Sequence, residues 1–208
     1  MNKILAFGDS NTWGFKPGTK NMERYSDNER WPKILQNMCT NSHIVEEGLC
    51  GRTTAYEDKN VNGRNGLKTL RHILQKETYD AIILMLGTND CKTELALNEK
   101  DICNGAKQCI DEILKHISCS SVLLMSPILL KEDVFKPDKD PEFNQTSVEI
   151  CKKLKNEYKK LAKEEKISFL AASDFAYASD IDCEHMDAQG HKNLAYAVYT
   201  KLCQMGVM

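Results

Sequence analysis

Hydrophobic patterning along the chain predicts an α/β fold, a parallel sheet with helices on both faces. Short apolar runs bounded by turn residues recur along the chain, with amphipathic stretches between them. Two of these runs, Ile82 to Leu86 and Val122 to Met125, are apolar without interruption. Strands alternating with helix-period segments build βαβ units, and an unbroken apolar run suits a central strand covered on both faces.

Five strands and five helices follow in order. The first strand is Lys3 to Phe7. A helix over Trp31 to Cys39 begins at Trp31-Pro32, where proline lacks only a donor that the first turn leaves unpaired. The second strand is His43 to Glu47, followed by a helix over Leu67 to Lys76. The third strand, Ala81 to Leu86, leads to a helix over Glu99 to Ile117, and the fourth is Ser121 to Met125. Leu130 to Gln145 has no element signal; with Pro137, Pro141 and many charges it reads as a lid, a substrate wall or a disordered surface loop. The helix over Thr146 to Glu165 is dense in lysine and glutamate around a narrow apolar stripe of Ile150, Leu154, Tyr158 and Leu161, the pattern of a solvated helix. The fifth strand, Ile167 to Ala171, precedes the last helix, Ala188 to Met205.

The 208 residues fit one domain spanning 1–208. With 28 basic and 30 acidic side chains the formal charge is -2, so no global field recruits nucleic acid or an anionic membrane, and a small-molecule partner is expected. Gly8-Asp9-Ser10 cuts the first apolar run before a signal segment can form, and no run approaches the length of a membrane span. The nine cysteines are scattered and unpaired in pattern, which reads as reduced thiols of a cytoplasmic protein.

Ligands of open parallel sheets bind outside the carboxyl ends of the strands. Gly8-Asp9-Ser10-Asn11-Thr12, Gly48 to Thr54 and Gly87-Thr88-Asn89-Asp90 follow the first three strands, and Asp182-Cys183-Glu184-His185 precedes the last helix. Ser10, on a tight turn after a buried strand, is the candidate nucleophile; His185 is its base, and Asp182 can fix the imidazole tautomer. The Ser10 N–H, the Gly51 N–H and the Asn89 amide are the candidate oxyanion donors. Each piece has a plain structural reading as well: a cap for Ser10 or Asn89, a positive-φ turn for Gly51.

Taken together, Gly8-Asp9-Ser10, Gly51, Gly87-Thr88-Asn89-Asp90 and Asp182-x-x-His185 resemble the four blocks of the SGNH (GDSL-type) hydrolases, in order and at similar spacing over nearly the whole chain. The resemblance is closest to the arylesterase and acyltransferase branch, through Arg30-Trp31-Pro32, Glu46-Glu47-Gly48-Leu49 and Ser126-Pro127. It implies a three-layer α/β/α, flavodoxin-like fold with no cofactor and no metal. It also implies hydrolysis of short acyl esters with some transfer to alcohols, and a homo-oligomer. Asp9, Asn11 and Trp13, beside the serine, are assigned to substrate binding. Acetylated sugars, aryl esters, thioesters and lysophospholipids all fit such a site. Cys50 and Gly51 stand where close relatives often carry serine and alanine, and Cys183 where Asp-Gly-x-His is common; that last change is expected to alter the flexibility of the loop before His185.

Two rival classes fit fewer residues. A metal-dependent hydrolase would use Asp182, His185, Asp187 and His191, but no H-E-x-x-H accompanies them, and His191 is expected to pack near the start of the last helix. A non-catalytic nucleotide-binding module lacks both glycine-rich phosphate motifs, and Asp9, Asp90 and Asp182 would repel phosphate. Cys50 or Cys91 as nucleophile has no basic partner in the sequence, and Asp174 is the alternative acid if Asp182 is not used.

Overall fold

The structure, a computed structural model, describes residues 1–19 and 21–208. The main elements are β1 (Asn2–Gly8), α1 (Ser10–Trp13), α2 (Trp31–Met38), β2 (Ser42–Gly48), α3 (Gly66–Lys76), β3 (Ala81–Met85), α4 (Glu99–Ile113), β4 (Val122–Ser126), α5 (Gln145–Glu164), β5 (Ser168–Ala171) and α6 (Ala188–Gln204). The five strands form one parallel sheet in the order β2-β1-β3-β4-β5.

Strand side chains point alternately to opposite faces, so the apolar runs are divided between two cores. Leu5, Phe7, Ile82, Leu84, Val122 and Leu124 join one core with residues of α3, α4 and α5. Ile4, Ala6, Ile83, Met85, Leu123 and Met125 join the other with residues of α2 and α6. The lysine-rich helix α5 buries Leu154, Tyr158 and Leu161, as its stripe predicts. Among the described residues no helix is long and apolar enough to cross a membrane.

The strand order reverses at β1. Its connection leads outward to β2, while β3 lies on the other side, so the loops after β1 and β3 diverge and leave a crevice at the carboxyl end of the sheet.

Two regions differ from the expected pattern. The helix expected to reach Ile117 ends at Ile113, because Lys115 and His116 donate to the carbonyls three residues back and tighten the chain into turns. The Leu130 to Gln145 segment is anchored by buried Leu130, Val134 and Phe143. Its Lys131 N–H bonds the Cys183 carbonyl at 3.0 Å, and Lys139 Nζ bonds the Asp180 and Ile181 carbonyls at 3.0 and 2.7 Å. It therefore braces the loop that carries His185.

Candidate active site

Ser10 opens the short helix α1 immediately beyond β1. Gly48, ending β2, lets this turn close: a Cβ there would lie 2.1 Å from the Trp13 backbone nitrogen. Asp9 caps the helix, its Oδ1 accepting from the Asn11 N–H at 3.0 Å.

His185 reaches Ser10 from the loop before α6. Its Nε2 lies 2.8 Å from Ser10 Oγ and its Nδ1 2.9 Å from Asp182 Oδ2. The other Asp182 oxygen accepts the Glu184 and His185 N–H groups at 3.1 and 3.0 Å. One carboxylate thus shapes the turn and orients the imidazole. The Phe15 ring stacks on the imidazole at 4.3 Å between centroids, covering its face.

Asn11 lies differently from its assignment to substrate binding. Its amide donates to the Glu184 carbonyl at 3.3 Å and its Oδ1 accepts the Met186 N–H at 3.0 Å. Buried and committed at both ends, it clamps the histidine loop to α1. Trp13 is half-buried, with the Arg24 guanidinium 5.3 Å from its ring.

Gly51 has φ +79°, so its turn does require the left-handed region. Its N–H, like that of Ser10, donates to no described acceptor. Asn89 follows β3, and its Nδ2 donates one hydrogen to the Arg52 carbonyl at 3.1 Å, next to Gly51 in the chain, which leaves its second hydrogen unused. The ends of β1, β2 and β3 thus each bring a spare donor to the crevice.

Below these donors, Asp90 ties two loops together. Its oxygens accept the Thr54 N–H at 3.0 Å and the Thr54 hydroxyl at 2.5 Å. Arg52 projects under the same turn to the Gly8 carbonyl at 2.9 Å and over the Phe7 ring at 4.1 Å.

Burial works against a charged imidazole, but the carboxylates of Glu184, Asp182 and Asp9 prevail and raise His185 to about 9. Burial likewise works to raise Asp182, yet the hydrogen bond and charge of His185 hold it below its ordinary 3.8. Burial lifts Asp9 to about 6 and Glu184 to about 7. The pair Ser10 and His185 has its base held by opposite charge, the arrangement that favours transfer of a hydroxyl proton to the imidazole.

The candidate thiols have no such help. Burial raises Cys50 to about 11, and Cys91, buried against Cys151, is held well above the usual thiol range by that contact and by burial. The four side chains of the metal reading separate. Asp182 and His185 bind each other, Asp187 caps α6 through the Gly190 N–H at 2.7 Å, and His191 accepts the Trp31 N–H at 3.3 Å in the core beside α2. Asp174, the alternative acid, pairs with Lys155.

The profile of the GDSL-like lipase/acylhydrolase family matches residues 6–193. The chain belongs to this family, the SGNH hydrolases. A carbohydrate acetylesterase from Sinorhizobium meliloti is 31% identical, with 99% of this chain and 100% of that one covered and a TM-score of 0.88. The aryl esterase of M. smegmatis is 27% identical, with 99% and 100% covered and a TM-score of 0.89. No protein of curated function matches the sequence significantly. The three-layer fold is that of these SGNH enzymes, and the chain is a carboxylic ester hydrolase.

Within this SGNH hydrolase, sequence reading missed Phe15, Glu184, Arg52 and the clamping role of Asn11. Phe15 and Arg52 carry no signal in an isolated sequence, since a lone aromatic or arginine near a motif is ordinary. Glu184 did have one: a charged side chain immediately before the candidate base.

Proposed function

We propose that the protein hydrolyses short-chain acyl esters, acetyl or aryl, through an acyl-enzyme on Ser10, with Asp182 and His185 completing the triad. The observation that carries this reading is the unbroken hydrogen-bonded series from Ser10 Oγ through both imidazole nitrogens to Asp182. Ser10 Oγ attacks the acyl carbon as its proton passes to His185 Nε2. The carbonyl oxygen becomes an oxyanion facing the spare hydrogens of Ser10 N, Gly51 N and Asn89 Nδ2. The imidazolium, held by Asp182, then gives its proton to the departing alkoxide, so the C–O bond breaks without releasing a free base. Water, deprotonated by the neutral imidazole, attacks the acyl-enzyme and regenerates Ser10. An alcohol in place of that water gives acyl transfer.

Carbohydrate acetates are the second substrate class, favoured by the similarity to the acetylesterase structure. We further place the enzyme in the cytoplasm as a homo-oligomer. The nine free cysteines fit a reducing compartment, while the oligomer follows from the resemblance to the arylesterase branch.

Labelling tests the nucleophile. A sulfonyl fluoride is expected to modify Ser10 and abolish turnover of phenyl acetate, while mild thiol alkylation and chelators leave most of the activity. Activity lost to alkylation but not to the serine reagent moves the nucleophile to a cysteine.

A further inference from the structure

The series from Ser10 to Asp182 leaves one buried carboxylate in the site without a task. Glu184 is only 6% exposed, yet no described group donates a hydrogen bond to either of its carboxylate oxygens. Its backbone is held on both sides, its N–H on Asp182 Oδ1 at 3.1 Å and its carbonyl under Asn11 Nδ2 at 3.3 Å. The bonds that place the backbone of the His185 loop therefore place that of Glu184 as well. Oε1 comes to 3.7 Å from His185 Nε2, the nitrogen that receives the Ser10 proton and returns it to the leaving group.

The charged groups facing Glu184 are His185, Asp140, Asp182 and Lys92. None of them satisfies it. Lys92 is engaged with Glu142 at 2.5 Å, and Asp140 and Asp182 are like charges. The Glu184 oxygens are not among the sealed, unpartnered side-chain atoms of the interior, so a donor arriving from outside can reach them, while the rest of the side chain is held largely out of water at a cost that such a donor would offset. A partner that arrives only with the substrate accounts for its place.

The position selects which part of the substrate that is. The departing ester oxygen must come within roughly 2.6–3.2 Å of Nε2 to take its proton. An oxygen on the next carbon of the same alcohol then falls within hydrogen-bond reach of the carboxylate beside it, roughly 2.5–3.0 Å for an O–H donor. A hydroxyl suits the site better than a cation, because the Lys92 ammonium already acts on Glu184 and a hydroxyl bonds the carboxyl group in either protonation state.

We propose that Glu184 is a substrate-binding residue that selects leaving alcohols carrying a hydroxyl next to the ester oxygen, as in monoacylated diols, polyols and sugars. This rests on the serine-esterase reading above and narrows it. Esters of simple alkyl or aryl alcohols would cover the carboxylate without giving it a donor, and a site built for a substrate hydroxyl discriminates against analogues without one. Glu184 also supports the imidazolium by charge. That support acts on every ester alike, so a ratio of substrates separates the two effects.

The experiment compares kcat/KM for 2-hydroxyethyl acetate and for propyl acetate, close in size and differing by the hydroxyl, with phenyl acetate as reference. The wild-type enzyme is expected to prefer the hydroxy ester by about ten- to a hundredfold, the range of a hydrogen bond to a charged group. Glu184→Leu is expected to bring the ratio to within about threefold of unity, and Glu184→Gln, which keeps an acceptor but not the charge, to an intermediate value. A wild-type ratio near unity overturns the proposal without any variant. So does a Glu184→Leu enzyme that slows on both esters equally and keeps the wild-type ratio, since Glu184 then acts through His185 alone. If the wild-type enzyme turns over none of the three esters and a sulfonyl fluoride does not label Ser10, the esterase reading itself fails. Turnover of phenyl acetate with a flat ratio removes only the role of Glu184.

Discussion

Asp90 and Asp182 both lie in loops, one in the corner after β3 and the other in the loop before α6. Asp90 is fully buried and bonds only neutral donors, the N–H and hydroxyl of Thr54, so burial raises it to about 6 in spite of those bonds. Asp182 keeps 19% of its side chain exposed and bonds a cationizable ring, and its acidity shifts the other way, below 3.8. The same side chain is scaffold in one corner and electrostatic partner in the other, and what it faces decides which. Losses at the Asp182 loop should therefore appear in rate, and losses at the Asp90 corner in stability.

The largest effect tests that division directly. Asp182→Asn is expected to lower kcat by up to about four orders of magnitude, because the amide favours the wrong imidazole tautomer, while the thermal midpoint changes little. Near wild-type rates would move the acid elsewhere, Asp174 being the next to replace.

Asn89 lies in the Asp90 corner but offers its spare hydrogen to the crevice, so it should follow the rate pattern rather than the stability pattern. Asn89→Ala is expected to lower kcat by about a hundredfold to a thousandfold with little change in KM, roughly 2.7 to 4 kcal/mol of transition-state stabilisation. Lost stability with retained kcat would return Asn89 to the role of a loop tether on the Arg52 carbonyl.

The pH dependence should set the rate and stability of the histidine loop against each other. The base must be neutral, so kcat/KM is expected to climb about tenfold per pH unit toward about 9, the value to which Glu184, Asp182 and Asp9 lift His185 against burial. Stability runs the opposite way. A folded-state value raised above the ordinary 6.5 contributes fully below 6.5, and that contribution is lost as pH rises through about 9. A rate profile and thermal midpoints from pH 6 to 10 check both; an acid limb near 6.5 would mean that the neighbouring carboxylates do not hold the imidazolium.

Asp90→Ala leaves the Thr54 N–H and hydroxyl buried without their acceptor. A loss of about 2–5 kcal/mol in unfolding free energy is expected, with any fall in kcat well short of that for Asp182→Asn. A normal thermal midpoint with inactive enzyme would erase the contrast between the two corners.

The smallest effect concerns strain. Cys183 has φ +65°, a left-handed conformation that disfavours a side chain, and its buried thiol packs in the core. Cys183→Gly relieves the strain but loses packing and frees the unfolded chain, so the unfolding free energy should stay within about 1 kcal/mol of wild type and kcat within about threefold. A larger fall in kcat would show that the thiol helps to set the position of His185.

Much of this architecture is legible along the chain because its causes are local. The uninterrupted runs at Ile82 and Val122 mark strands covered on both faces, Trp31-Pro32 marks a helix start, and three of the four polar blocks stand directly after a strand. Asp182 and His185 are three residues apart, near enough for spacing alone to suggest their pairing.

Where side chains distant in sequence meet is settled by folding alone. Asn11 clamps a carbonyl 173 residues away, Asp90 holds a threonine 36 residues back, and Phe15 covers the imidazole of His185. Glu184 is an ordinary loop acid until the fold buries it 3.7 Å from Nε2. Patterns of hydrophobicity and turn propensity act over a few residues, so strands, helices and polar blocks can be read along the chain. Burial and charge at a single carboxylate depend on every element packed around it, and those neighbours exist only once the sheet has brought the loops together.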